Sequence, residues 1–298
     1  MRNVEAPLRA AAFGADPDLA DRTLAGAELG SPRLRWLAAV LLGARGRYAR
    51  ATAVLNGLAA DADPVLAALA DSTLASHRRQ LGGHADARRW DARAMARIAA
   101  ASRVPRADAN DPDGVDLAGA LADALLGLAA DALALGRQAE ARMLLARFDD
   151  GIVAGMPVST AWRAGVRHGW VCAEVELAAG NPGAAREPAE RAAGLARSRG
   201  AVRHIVKSDI VLAAALAGSG GSEERGRAAG LVTRAAASAR RYGFASLVWP
   251  AELIAADLDL ARAQDYRSSA GAVLHGVLQH SDPAGRRLAA LSPWVPVP

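Results

Sequence analysis

The chain has 298 residues, 52% of them hydrophobic and only 4% aromatic, with a formal net charge of +5. That much apolar content excludes a disordered chain. One cysteine, Cys172, excludes an intramolecular disulfide and a cysteine-based zinc site. Alanine, leucine and arginine dominate, and all three favour helix, whereas the β-branched residues that favour strands are sparse.

Taken in chain order, caps and breakers recur at helix-length intervals. The N-terminal residues have no unbroken apolar core of signal-peptide length, so no leader is expected there. Asp16–Pro17, Ser31–Pro32 and Asp63–Pro64 each place a capping residue before a proline suited to the first helical position. Residues 1–30 are expected to form a capping hairpin. Further helices are predicted over 32–45, 48–60, 65–81, 84–101, 115–135, 138–149, 159–179, 183–198, 201–217, 223–241, 246–262 and 265–279. No stretch alternates with a period of two, so no sheet is predicted. Residues 102–114 and 218–226 read as loops, and 281–298 as an irregular proline-rich tail. Pro188 and Pro250 fall near helix starts and would kink their helices if they lay inside them. The most apolar stretch, Val115 to Gly136, carries Asp116, Asp123 and Asp131 within about 100° of one another on a helical wheel. Three acids on one stripe are costly in a bilayer, so a buried helix and a cytoplasmic location are expected, with no membrane partner.

A unit recurs along the chain. Gly46, Gly82, Gly136 and Gly180 each stand in a short turn between two predicted helices. Five residues later come Ala51, Ala87, Ala141 and Ala185, and seven residues earlier Ala39, Ala75, Ala129 and Ala173. Two antiparallel helices joined by a tight turn cross closely there, and only a small side chain fits. The glycines are 36, 54 and 44 residues apart, which indicates divergent hairpins. With Gly46, Tyr48 and Ala51 in "GRYARATAVL", the pattern resembles the tetratricopeptide repeat (TPR) over roughly residues 32–279. His84, Gln138 and Pro182 replace the aromatic in the later copies, and a further hairpin carrying Tyr266 has Ser269 at the alanine place. The longer first helices are similar to those in sensor arms of large bacterial transcription activators. The resemblance implies an all-α, right-handed α-solenoid of twelve to fourteen helices with a binding role.

Catalytic motifs are not found: there is no HExxH, GxSxG or phosphate loop, and no histidine pair has the spacing that puts two ligands on one helix face. "DANDPDG" fails as a calcium loop, because alanines fall where the first and twelfth carboxylates are needed. No cofactor is predicted, and the chain is read as a non-enzyme. Cys172 lies in an apolar run and reads as an inert thiol.

In TPR arrays the first helices of successive hairpins line a concave groove. By that resemblance, counting back from each turn glycine gives Arg33, Trp36, Val40 and Gly43; Leu69, Ser72, Ser76 and Arg79; Asp123, Leu126, Ala130 and Leu133; and Arg167, Trp170, Glu174 and Leu177. Arg33–Trp36 and Arg167–Trp170 read either as peptide anchors or as core tryptophans. His204 and Lys207 would extend the face. The expected partner is a protein or peptide, with an acidic or C-terminal segment held by arginines; Arg79 and Arg167 are expected to be free for it. A nucleic-acid-associated regulator is the alternative suggested by the arginine excess. Only one lysine, Lys207, occurs, and codon bias accounts equally well for so much arginine.

Overall fold

The turns explain the architecture. At Gly46 the amide donates to Gly43 O (3.0 Å) and the next amide, Arg47, to Leu42 O (2.8 Å). The same pair of bonds recurs at Gly82, Gly136 and Gly180, and all four glycines have φ between +72° and +76°. This is a Schellman ending, which closes the last carbonyls of one helix while turning the chain to the next. All eight alanines of the repeat pattern are fully buried, each at 0% exposure.

The computed structural model describes residues 4–60, 63–102, 111–153, 156–157, 161–293 and 295–296. Six long helices form an inner ring: α3 (Pro32–Ala44), α5 (Pro64–Gln80), α7 (Leu117–Ala134), α9 (Trp162–Ala178), α11 (Val202–Gly218) and α13 (Ala245–Leu258). Their hairpin partners are α4 (Tyr48–Leu58), α6 (His84–Ala101), α8 (Gln138–Asp149), α10 (Pro182–Ser198), α12 (Ser222–Arg241) and α14 (Ala263–Gln279). Each inner helix packs on its own partner and on the next inner helix. The last returns to the first: α13 touches α3, Ser246 Oγ donates to Ala44 O (3.1 Å), and Ala49 N donates to His280 O (2.8 Å). The array of helices therefore winds through a full turn until the start of α13 meets the end of α3, and its inner side is surrounded by protein where an open groove was expected.

The N-terminal helix covers one end of the array. The N-terminal residues do form helices, α1 (Glu5–Phe13) and α2 (Asp21–Glu28), but α1 packs on α3 and α11 while α2 packs on α3. Helix α1 thus spans the mouth where the inner helices begin. It is held by Val202 N to Gly14 O (3.0 Å) and by Arg9, which pairs with Asp111 (2.6 Å) and Asp113 (2.7 Å). At the opposite end α15 (Pro283–Leu291) packs near the α5–α6 turn, with Arg78 ion-paired to Asp282 (2.9 Å).

Several local expectations change. Asp16–Pro17 starts no helix: residues 16–20 form no regular element, with Leu19 N donating to Pro17 O (3.0 Å) and Leu19 O held by Arg45 (2.7 Å), and α2 begins at Asp21. Asp63 caps α5 through its side chain, bonding Val65 N at 2.9 Å, whereas Ser31 precedes α3 without a side-chain cap. The presumed irregular tail contains α15, for which Asp282 and Pro283 supply the cap and first position. Trp294 and residues 297–298, like 103–110 of the polar loop and the expected helix start at 159–160, lie outside the described residues. Pro188 and Pro250 stand inside α10 and α13. Helix α13 ends at Leu258, and a single 3-10 turn, Leu260–Arg262, leads into α14. One small ladder departs from the all-helical reading: β1 (Ile152–Val153) pairs antiparallel with β2 (Met156–Pro157). Helix α7 is long and apolar enough to cross a membrane, yet 67% of it is buried inside the fold, as expected for a core helix.

Candidate functional site: the charged interior of the ring

Charge is buried both where the inner helices face one another and between inner and outer helices. On α7, Asp123 receives Arg163 and Arg167 of α9, each at 2.5 Å. Burial alone would raise the Asp123 carboxyl, but the two guanidiniums outweigh it and hold it below the usual carboxylate range. Arg163 also lies 4.8 Å from the centre of the Phe13 ring, a cation–π contact with the helix that spans the mouth.

A second cluster joins α5, α6 and α7. Arg79 binds Asp91 (2.5 Å) and Asp131 (2.8 Å), and His84 Nδ1 lies 3.0 Å from Asp131. Two buried carboxylates on one guanidinium repel each other. Burial pushes Asp91 up to about 7 despite Arg79, and Asp131 adds to the rise. Gly127 of α7 makes room for this pair: a Cβ there would stand 2.1 Å from Asp91 Oδ2 and 2.8 Å from Arg79 Nη2.

Further round, Lys207 of α11 pairs with Glu174 of α9 (3.1 Å) and lies 5.8 Å from the Trp170 ring centre. Trp170 Nε1 donates to Ser208 Oγ (2.8 Å). His204 is buried in a cage of Trp162 (4.8 Å), Trp170 (5.8 Å) and Phe13 (6.3 Å). Burial, together with the field of Arg203, holds its imidazole well below the ordinary histidine range. His77 of α5 stacks obliquely on Tyr48 (5.1 Å) and reaches the place where a Gly43 Cβ would stand. Burial, then Arg203 and Arg78, lower it to about 3.

The expected groove register thus brings some residues together and separates others. Asp123 meets Arg167, and Glu174 meets Lys207 beside Trp170 and His204. Arg79 and Arg167 were expected to be free for a partner, but both are held in internal ion pairs. Trp36 is 1% exposed, and its Nε1 donates to Thr73 Oγ1 (3.0 Å), so it is a core tryptophan. Ser72 is buried and Ser76 half-buried, while Leu69, Leu126 and Val40 belong to the core. Arg33 stays at the mouth, donating to Val115 O (2.8 Å).

Three contributors escaped the sequence reading: Arg163, Asp91 and Arg203. Arg163 precedes Arg167 by four residues, and Arg203 precedes Lys207 by four. Helical spacing alone puts each on its partner's face. Away from the ring interior, Cys172 lies 3.4 Å from His168, and burial pushes its thiol up to about 11, in keeping with an unreactive sulfur. Among the described residues no three acidic, histidine or cysteine side chains converge as a metal site.

Fold and site together define a closed array of helical hairpins with a charged interior. No family model matches the chain, and no curated protein matches it significantly.

Proposed function

We propose that the chain is a non-catalytic regulatory adaptor of TPR-like, right-handed solenoid type that works in the cytoplasm. Its inner face takes an acidic or C-terminal segment of a protein partner. The observation that carries this reading is the excess of cationic side chains on consecutive inner helices: Arg163 and Arg167 share one carboxylate, Asp123, and Arg203 pairs with none among the described residues. Helical arrays preorganise such a face on rigid hairpins, so recognition needs little reordering of the protein. Much of the remaining arginine is already ion-paired within the chain, for example Arg93 and Arg97 with Asp71 and Arg142 with Glu176. That leaves less free charge for a nucleic-acid backbone.

The test is fluorescence anisotropy with a labelled polyglutamate peptide, a polylysine peptide of equal length and a DNA duplex, each at low and physiological salt. The adaptor reading expects binding of the acidic peptide alone. Duplex binding that weakens steeply with salt would instead favour a nucleic-acid regulator.

A further inference from the structure

Arg203 is out of balance with its surroundings. It is the second residue of α11, a helix that begins without a side-chain cap. A positive side chain at a helix N-terminus opposes the helix dipole. Val202 N reaches Gly14 O, but the amides of Arg203 and His204 find no partner among the described residues. The guanidinium has no carboxylate in ion-pair range among the described residues, and its buried Nε has no hydrogen bond. Its neighbours deepen the imbalance. Arg163 and Arg167 both add to the positive field around it, and the field of Arg203 itself reaches Tyr48, His77 and His204. His77 Nδ1 and His204 Nδ1 are likewise buried without hydrogen bonds. The Arg203 side chain is half-buried, and its interactions with Tyr48, His77, Arg163 and Arg167 place it among the inner helices.

An unpaired buried cation is among the most costly groups a fold can carry, and it persists where something compensates it. Among the described residues two internal explanations fail: Asp123 is taken by Arg163 and Arg167 and makes no ion pair with Arg203, and both flanking histidines are held neutral. We infer that the interior around Arg203 is a binding site for a small dianion, a phosphate or dicarboxylate group, held by Arg203 and the free amides at the start of α11, with Arg163, Arg167 and the Tyr48 hydroxyl around it. A planar guanidinium beside open helix amides is the arrangement that suits such oxygens. Helix α1 stands over this end of the ring. A crevice of about 250 Å³ beside it, lined by Arg9, Phe13, Asp113, Trp162 and Arg199, leads to the Phe13–Trp162 wall of the His204 cage.

The inference rests on reading the interior as the recognition surface, and its test is independent of any peptide. Thermal unfolding of the full chain is followed at neutral pH with inorganic phosphate or succinate, against sodium chloride at equal ionic strength. Saturating dianion raises the wild-type Tm by about 5 °C. In Arg203→Met the shift disappears, while the Tm in chloride alone is equal to or above wild type, because an uncompensated charge has gone. Arg203→Lys keeps a reduced shift. A response to phosphate alone assigns a phosphorylated ligand, and a response to succinate a carboxylate one. No shift in the wild type with either anion, or an undiminished shift in Arg203→Met, overturns the site. If the peptide assay fails while the dianion shift stands, the adaptor reading falls and the site remains.

Discussion

Mild acid should weaken this fold at a rate that its buried groups set. His77 is lowered to about 3 and His204 well below its ordinary value, both chiefly by burial, so neither takes a proton in the folded chain near pH 5. Unfolding returns both to the ordinary value of 6.5. Their contribution is therefore complete above that pH and is lost as pH falls. Asp91 acts in the opposite sense: raised to about 7 from 3.8, it is protonated in the folded chain where the unfolded chain has released the proton. Between about pH 6 and pH 5 the unfolded state binds two extra protons at the histidines, and the folded state one at Asp91. These three groups leave a net of one proton, which makes stability fall by about 1.4 kcal/mol per pH unit; His168, also lowered by burial, adds to the fall, and Asp209, raised by burial, opposes it. Asp91→Asn removes an opposing proton and steepens the slope by about 1.4 kcal/mol per unit. His77→Gln makes it shallower by about the same amount. Urea titrations followed by circular dichroism across that window measure all three slopes. A wild-type slope near zero, or one unchanged in His77→Gln, would refute the argument.

Other substitutions probe the interior and the turns. Asp123→Asn leaves Arg163 and Arg167 without their carboxylate and should cost about 3–5 kcal/mol by urea denaturation. This is opposite in sign to the effect of Arg203→Met in chloride. Gly127→Ala forces a methyl against the Asp91 carboxylate and should cost about 1–3 kcal/mol, with the loss reduced in an Asp91→Ala background. At Gly136, φ is +74° with open space around the position, so Gly136→Ala should cost about 1–2 kcal/mol through backbone strain alone. The Cys172 thiol, pushed up to about 11, should react with a disulfide reagent at mildly alkaline pH far more slowly in the folded chain than in urea.

The parts of the fold that were legible in the sequence are those made by neighbours along the chain. A Schellman turn needs only glycine and the helix before it, and the alanines at fixed offsets mark where two joined helices touch. Gly220 shows the limit of that signal. It turns α11 into α12 with φ +83° and has the buried Ala213 seven residues before it, yet exposed Arg225 stands where the later alanine would be. Closure of the array was not legible. It depends on contacts such as Gly46 with Ala245 and Val277, some two hundred residues apart, and on how small rotations accumulate over successive hairpins. For the site, register placed Asp123, Arg167, Glu174 and Lys207 on one inner face, but it could not tell a free arginine from a paired one. Asp91 lies on an outer helix, α6, and meets Arg79 of α5 where Gly127 of α7 leaves room for its carboxylate. Trp36 and Trp170 had identical sequence credentials. The structure separates them: Trp36 is buried in the core beside Phe13 of α1, and Trp170 is half-buried beside Lys207.

Enclosure of the interior is the claim on which the rest stands, and the amide of Ala49 reports it. This amide is in the first turn of α4, where no helical carbonyl can accept it. It is satisfied instead by His280 O, at 2.8 Å across the closing contact. Residue-resolved hydrogen exchange of the intact chain should find Ala49 protected to the level of nearby core amides such as Leu55. Exchange of Ala49 at the rate of an unprotected amide, with Leu55 still protected, would mean that the ring is open in solution and that no enclosed site exists.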